Sequence, residues 1–243
     1  MSGHSHAKNV KRIKEADAKK RGQIFSKISR LISVAVREGG SNIETNSKLR
    51  MAVEMAREFN MPKENVERAI KRASGEVDRE KLEEISFEAY GPGGVALIIE
   101  GITDNKRRTI SELKQILQEY QGKLVKEGTV KWMFKKMGCI RINLKDQDKK
   151  LEREEMELIA IEAGAEDLFW KEEELEVYTK VEELEKVKRR LKEKGIKIGT
   201  TSLDWIPKER IKLDKEKREN CERLFESLDE NDAVQEIYSN LEI

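Results

Sequence analysis

The sequence contains few of the residues that enzymes most often use for catalysis or metal binding. Its 243 residues include only two histidines, His4 and His6, and two cysteines, Cys139 and Cys221. Two histidines on a terminal segment seldom define a metal site, and the body of the chain offers no histidine as a nucleophile or general base. We therefore expect no enzymatic activity, no catalytic residues, no bound metal and no cofactor.

Long apolar runs and paired cysteines are also missing. No stretch approaches the ~20 apolar residues that cross a bilayer, and the opening segment MSGHSHAKNVKR lacks the apolar core of a secretion signal. Two isolated cysteines provide no disulfide framework, which fits a reducing compartment. The sequence predicts a cytoplasmic protein with no membrane partner.

The charged residues are distributed unevenly, although the whole chain carries a net charge of only +1. Residues 1–75 contain 17 Lys or Arg and 8 Asp or Glu, a net charge of +9, whereas the remaining 168 residues have a net charge of −8. Such a division is typical of a protein in which one part meets a polyanion. We expect the acidic part to be scaffold or to contact a protein partner.

Three amphipathic helices are predicted in the basic part. Apolar residues over 24–36 recur on one helical face, and the pair Gly39-Gly40 is predicted to end that helix. Asn46 or Ser47 is placed to cap a second helix, and Pro62 fits the first turn of a third. The short links between them indicate a small helical bundle.

From residue 84 onward the apolar pattern changes to the period of β-strands. ISFEAYG and GGVALIIEG predict a hairpin around a Gly-Pro-Gly-Gly turn, followed by a helix over 109–120 and a strand over 129–136. Elements between 138 and 206 alternate as β-α-β-β-α-β, the ferredoxin-like order. A helix over about 215–229 and a final strand in DAVQEIYSNL would complete the first sheet.

These elements predict an α+β, multidomain protein. An N-terminal three-helix bundle precedes two α/β domains, of which one is ferredoxin-like and inserted in the other. The predicted domains are 1–78, the basic helical domain, 79–136 with 207–243, an α/β domain, and 137–206, the inserted ferredoxin-like domain.

The basic residues of the helical domain are the main candidates for nucleic-acid binding. They precede the first helix or lie on one of the three helices: Lys8, Lys11, Arg12, Lys14, Lys19, Lys20, Arg21, Lys27, Arg30, Lys48, Arg50, Arg68, Lys71 and Arg72. Such a set can neutralise several phosphates and release their counterions, which gives affinity with little sequence discrimination. The alternative for its first part is a solvated, partly disordered tail.

A second group of cations, Lys106, Arg107 and Arg108, lies in the segment DNKRRT between a strand and a helix. Cations beside the free backbone N–H groups of a helix N-terminus suit a phosphate. The alternative is that Asp104 or Asn105 caps the helix and that the cations are solvated.

The three tryptophans fall at the ends of predicted strands. This placement favours packing in the core or at its rim for Trp132, Trp170 and Trp205, rather than a role as base-stacking platforms.

A set of short motifs extends along nearly the whole chain. It includes Gly3-His4-Ser5, Lys20-Arg21-Gly22, Arg37-Glu38-Gly39-Gly40, Asn60-Met61-Pro62-Lys63, the run from Glu88 to Gly94, Thr103-Asp104-Asn105 and the run from Glu162 to Asp167. Together they resemble the YebC/PmpR family. The resemblance implies three domains, the third inserted in the second, and no enzymatic activity. Family members are generally described as transcriptional regulators that bind DNA, mitochondrial relatives as translational activators, and bacterial members also as ribosome-associated.

The expected function is therefore a non-enzymatic, nucleic-acid-binding regulator of gene expression. A DNA-binding transcriptional regulator and a ribosome- or RNA-associated translation factor would use the same basic surface, and the sequence leaves both open. The nearest segment to a helix-turn-helix is the pair of helices joined around Asn60-Met61-Pro62, from which Arg68, Lys71 and Arg72 would point outward.

Overall fold

The computed structural model describes residues 18–75, 82–149 and 151–242, and only the backbone of residues 18–20. The predictions about His4, His6, Lys8, Lys11, Arg12 and Lys14 lie outside the described residues, as do the side chains of Lys19 and Lys20. Contacts between Cα atoms divide the chain into two units: one comprises the described residues up to Met133 and from Pro207 onward, and the other is Phe134–Ile206. The boundaries of the three domains stay a prediction.

Three α-helices open the first unit: α1 (Ala18–Gly39), α2 (Ser47–Glu58) and α3 (Lys63–Ser74). Helix α1 packs against both others, and their apolar faces form one core, which includes Ile28, Ile32, Leu49, Ala52, Val53, Ala56, Phe59, Val66 and Ala69. Gly40 has a φ of +79°, the left-handed conformation that ends a helix without strain in glycine. The predicted three-helix bundle is confirmed.

Asn46 ties the end of α1 to the start of α2. Its Oδ1 accepts a hydrogen bond from the N–H of Leu49 at 3.0 Å, as expected of the cap. Its Nδ2 donates to the carbonyl oxygens of Ala35 at 2.7 Å and Gly40 at 2.8 Å. One buried amide therefore satisfies an N–H of one helix and two carbonyls near the end of the other.

We expect Asn46→Ala to lower the free energy of unfolding by about 2 kcal/mol, because the cap is lost and two carbonyls lose their donor. Asn46→Ser restores a cap acceptor but cannot reach both carbonyls, so its loss should be about half as large. Urea denaturation followed by circular dichroism measures both variants. Equal losses for the two would show that the cap itself contributes nothing.

The remaining elements are, in chain order, β1 (Glu83–Tyr90), β2 (Ala96–Thr103), α4 (Lys106–Glu119), β3 (Lys123–Val125), β4 (Phe134–Asn143), α5 (Arg153–Ala163), β5 (Asp167–Lys171), β6 (Glu174–Thr179), α6 (Leu184–Glu193), β7 (Thr201–Pro207), α7 (Lys215–Asp229) and β8 (Val234–Ser239). Short 3₁₀ turns occur at Pro92–Gly94, Lys131–Met133, Leu144–Asp146 and Val181–Glu183. Helices and two antiparallel sheets confirm the predicted α+β class.

The sheet of the first unit has the strand order β3-β1-β2-β8, with every neighbouring pair antiparallel. Side chains from this sheet pack with α4 and α7 in one core, which includes Leu97, Ile99, Leu113, Leu117, Leu224, Phe225 and Ile237. Strand β8 pairs with β2 although residues 134–206 separate them in the chain. The tail thus completes the first sheet, as the sequence predicted.

The sheet of the second unit has the strand order β5-β6-β4-β7. With the element order β-α-β-β-α-β, this is the ferredoxin-like arrangement that the sequence predicted. Ile140 and Ile142 of β4 belong to a core with side chains of α5 and α6. Cys139 belongs to a separate cluster with Tyr178. Alternate side chains of β4 are therefore buried on both faces of the sheet.

The prediction of a strand over 129–136 was wrong for residues 129–133, whereas residues 134–136 belong to β4. Residues 131–133 form a 3₁₀ turn, and β4 then runs without a break through Gly138, where the sequence pattern indicated the start of a new strand. A Cβ at Gly138 would lie 2.4 Å from Oγ1 of Thr179, so this glycine permits a close approach rather than breaking the strand. Strand β3 was missed because three residues are too few to show alternation.

Candidate nucleic-acid interface

Helix α3 presents three adjacent cations. Arg68, Lys71 and Arg72 are exposed, and their spacing places them side by side on one helical face. Within the described ranges none of the three side chains forms an ion pair. Arg68 and Arg72 are four residues apart and repel each other, so a bound anion would relieve a cost to the helix. The alternative to anion binding is a structural role: the helix dipole favours cations such as Lys71 and Arg72 in the last turn of a helix.

Lys27 and Arg30 on α1 have partners elsewhere in the first unit. Lys27 Nζ lies 3.0 Å from Oδ1 of Asp229 and 2.6 Å from its carbonyl oxygen, and Arg30 donates to the carbonyl oxygen of Asp232. The Lys27 side chain is only 13% exposed. These contacts hold α1 against the last residue of α7 and the loop that follows it, so neither side chain is free for a phosphate.

Lys48 and Arg50 on α2 are also engaged. Lys48 Nζ lies 2.6 Å from a carboxylate oxygen of Glu38 and 3.4 Å from one of Glu84. The hydrogen bond to Glu38, aided by the charge of Glu84, raises the pKa of Lys48. Arg50 donates to the carbonyl oxygen of Glu44 at 3.1 Å. Intramolecular acceptors therefore occupy two more of the predicted contacts.

Three other exposed cations of the three helices form no ion pair among the described residues, so their charge is available to a bound anion. Arg21, which the sequence nominated, is exposed on the first turns of α1. Arg37 and Arg57 are exposed in the last turns of α1 and α2; the charge pattern of the bundle had included Arg57 but not Arg37. Among the described residues no ion pair to these three side chains is formed. The basic surface therefore extends beyond α3.

Asn105 caps the N-terminus of α4, as expected if Asp104 or Asn105 serves as a helix cap. Its Oδ1 accepts a hydrogen bond from the N–H of Arg108 at 3.1 Å. The Arg108 guanidinium lies 2.6 Å from Asp104 and 3.7 Å from Glu112. Arg108 therefore already has two carboxylate partners.

Lys106 and Arg107 differ from Arg108. Both are exposed in the first turn of α4, and neither side chain has an ion-pair partner in the part of the chain that the structure describes. The N-terminus of a helix favours anions. Lys106 and Arg107 therefore remain candidates for the phosphate contact that the sequence predicted.

A buried carboxylate holds the loop between β3 and β4. Glu88 on β1 is 4% exposed, and its carboxylate accepts hydrogen bonds from the N–H groups of Gly128 at 2.6 Å, Val130 at 2.6 Å and Lys131 at 2.9 Å. Burial works to raise the pKa of Glu88, but these three donors outweigh it and lower the pKa. The loop therefore has a fixed conformation.

A groove of about 580 Å³ lies beside this loop, between α4 and β3. Its lining consists of Phe87, Ile110, Lys114, Lys123, Leu124, Val125, Lys126 and Thr129. Trp132 follows at the end of the loop, and its indole Nε1 donates to the carbonyl oxygen of Thr129 at 2.9 Å. Trp132 is 64% exposed, which corrects the expectation that it packs in or against a core.

The other two tryptophans are partly buried in the second unit. The guanidinium of Arg153 lies 5.0 Å from the ring of Trp170, and Nζ of Lys136 lies 5.3 Å from the ring of Trp205. Both rings therefore face a cation of their own chain.

The described residues give few starting points for other chemistry. Among them no cluster of His, Cys, Asp and Glu could hold a metal ion. Burial raises the pKa of Cys221 to about 11 and that of Cys139 well above its usual value, which makes both thiols poor nucleophiles. None of the helices in the described ranges has the length and apolarity that a membrane span requires.

Two family models match consecutive parts of the chain. The model of the TACO1/YebC protein N-terminal domain matches residues 5–76, and the model of the TACO1/YebC second and third domain matches residues 82–241. The chain belongs to the TACO1/YebC family. The resemblance to YebC proteins that the sequence motifs carried is thereby confirmed.

Relatives in the TACO1/YebC family are similar over their whole length. A probable transcriptional regulatory protein of Caldanaerobacter subterraneus is 43% identical over 243 residues, which cover all of this chain and 99% of that protein. One of Thermotoga maritima is 44% identical, with coverage of all of this chain and 94% of that protein. The crystal structure of a conserved hypothetical protein from Aquifex aeolicus superimposes with a TM-score of 0.85 at 41% identity, covering 93% of this chain and 92% of that chain.

Proposed function

We propose that this TACO1/YebC chain is a non-enzymatic regulator of gene expression that binds DNA in the cytoplasm. The observation that carries the proposal is the adjacent set Arg68, Lys71 and Arg72 on α3, exposed and without an ion pair among the described residues. The names of the relatives, which are probable transcriptional regulatory proteins, support a regulator.

The contact is electrostatic and largely independent of base sequence. Cations that replace condensed counterions along the phosphate backbone give affinity, whereas base edges must be read to give specificity. The exposed face of α3 would rest on the backbone. The nominated cations Lys8, Lys11, Arg12, Lys14, Lys19, Lys20 and Arg21 precede or open α1 and would extend the contact. The net charge of −8 after residue 75 disfavours phosphate contact over much of the rest.

A ribosome- or RNA-associated translation factor is the second candidate. The feature that favours it is Trp132, which is 64% exposed next to a groove that contains three lysines. Unpaired bases stack on aromatic side chains, and folded RNA presents such bases in loops and bulges far more often than duplex DNA does. The surface on α3 would serve either polymer because both carry phosphates.

The test is to neutralise the α3 surface with the triple substitution Arg68→Gln, Lys71→Gln and Arg72→Gln. We expect the affinity for a short DNA duplex to fall roughly tenfold, and the slope of log K against log salt to shrink by about 0.9 for each phosphate contact that is lost. Fluorescence anisotropy across a range of salt concentrations measures both quantities.

The matched control removes three exposed lysines of the second unit, with Lys149→Gln, Lys180→Gln and Lys192→Gln. It changes the net charge by the same amount and should leave the affinity and the slope close to wild type. Equal losses in both triple variants would reduce the effect to net charge and refute the α3 surface. Crosslinking in cells with sequencing of bound DNA and RNA then selects between the two candidates.

A further inference from the structure

We infer that the groove between α4 and β3, together with Trp132, which is hydrogen-bonded to its lining residue Thr129, binds unpaired nucleotides of a single-stranded nucleic acid. The inference rests on the proposed function and adds a second site, which recognises bases rather than phosphates alone. The lining combines an apolar floor, provided by Phe87, Ile110, Leu124 and Val125, with three lysine side chains. A nucleotide has the same two-part character, an apolar base face and a charged phosphate.

The charge of the groove is of one sign. Lys114, Lys123 and Lys126 line it, no carboxylate does, and within the described ranges none of the three forms an ion pair. The chain as a whole carries 48 acidic residues and 49 basic ones, and lysines elsewhere, such as Lys27 and Lys48, form ion pairs with carboxylates. Three lysines in a lining that contains no carboxylate therefore form a surface complementary to a polyanion.

The cations continue along α4. Lys106, Ile110 and Lys114 are spaced by four residues and so follow one another on one side of the helix. Eight residues of α-helix span about 12 Å, so Lys106 and Lys114 lie about that far apart along the helix axis. Lys106 and Arg107 at the N-terminus of α4 thereby extend the groove lysines into one cationic path.

Trp132 is held in place with its ring exposed. The hydrogen bond from its Nε1 to Thr129 satisfies the only polar atom of the indole, and the residue is 64% exposed. Glu88 fixes the backbone that leads to it through Gly128, Val130 and Lys131. An exposed, immobilised aromatic ring loses little conformational freedom on binding, as a stacking platform for a base requires.

An acidic extended peptide is the other ligand that a cationic groove beside an edge strand can take. Such a peptide would add a strand to β3 and bind through backbone hydrogen bonds. Strand β3 has only three residues, Lys123–Val125, and so offers few of these bonds. Strand addition would make no use of the exposed ring of Trp132, whereas a nucleotide base could stack on it. The groove therefore favours the nucleotide.

The experiment compares three fluorescent probes on the full chain: a single-stranded oligothymidine, an abasic oligomer with the same number of phosphates, and a duplex. We expect wild-type protein to bind the single strand roughly tenfold more tightly than the abasic oligomer, which is the contribution of about one stacked base. Trp132→Ala should abolish this preference, and Trp132→Phe should keep most of it. Leu158→Ala, which removes another large exposed apolar side chain, should leave the preference unchanged.

The triple substitution Lys114→Gln, Lys123→Gln and Lys126→Gln should lower the affinity for the single strand and for the abasic oligomer by the same factor, because it removes phosphate contacts. A preference that survives Trp132→Ala, while duplex binding persists, overturns the groove site but leaves the proposed function intact. Wild-type protein that binds none of the probes overturns both. Poly-glutamate that displaces the single strand equally well from wild type and from Trp132→Ala would make an acidic peptide the ligand and also overturn the inference.

Discussion

Replacing Arg141 with methionine is expected to lower the free energy of unfolding of the second unit by about 3–5 kcal/mol. Arg141 lies on β4 and is 1% exposed. Its Nε donates to Glu176 at 3.1 Å and one terminal nitrogen to Asp204 at 2.5 Å, while the other donates to Ser202 at 2.9 Å. Methionine would leave two buried carboxylates without their cation, which is the costly change.

The control removes the carboxylate charges together with the arginine. Arg141→Met combined with Glu176→Gln and Asp204→Asn leaves no uncompensated charge, so about half of the lost stability should return. Thermal and urea denaturation of the single and triple variants measure the difference. A triple variant that is no more stable than the single one would show that arginine packing, not charge balance, accounts for the effect.

Glu88→Ala is expected to cost about 2–4 kcal/mol, because the N–H groups of Gly128, Val130 and Lys131 would lose a charged acceptor. Glu88→Gln keeps a neutral acceptor of nearly the same shape and should lose about half as much. Urea denaturation gives these values. A loss below about 0.5 kcal/mol for alanine, the range of an ordinary surface substitution, would contradict the role of the carboxylate.

The pH dependence of stability gives an independent measurement of the same group. The pKa of Glu88 is lowered from its ordinary value of 4.5, so the folded state favours the ionised form. Its contribution is fully present above pH 4.5 and is lost as the pH falls through the lowered folded pKa. Stability of the wild type should therefore fall more steeply than that of Glu88→Ala in the acid range below 4.5.

Local patterns in the sequence predicted the parts of the fold that depend on neighbouring residues. The helical period over 24–36 and the cap at Asn46 both appear in the structure. The β-α-β-β-α-β order of the second unit was also readable, because each element is long enough to show its period.

Long-range pairing of charges could not be predicted. Glu176 and Asp204 lie 35 and 63 residues from Arg141, and Lys27 lies 202 residues from Asp229. With 49 basic and 48 acidic side chains, the sequence gives no rule for choosing among the partners. The one available signal for Arg141 was its place between two isoleucines in a strand, since a charge within an apolar strand needs a partner.

The site was predictable to the extent that it depends on composition. Arg68, Lys71 and Arg72 are exposed as the helical period required. Lys27 and Arg30 fitted the same charge pattern but contact the loop after α7, which only the tertiary structure reveals. The exposure of Trp132 was missed because a strand was predicted across a segment that forms a 3₁₀ turn.

The contact of Lys27 and Arg30 with Asp229 and Asp232 joins the earliest described helix to one of the last loops of the chain. During synthesis Lys27 is made 202 residues before its partner Asp229. The ferredoxin-like segment is complete before β8 emerges to close the first sheet. In vectorial synthesis the residues of the bundle core and of the ferredoxin-like segment are therefore all present before the partners of Lys27 and Arg30 are made.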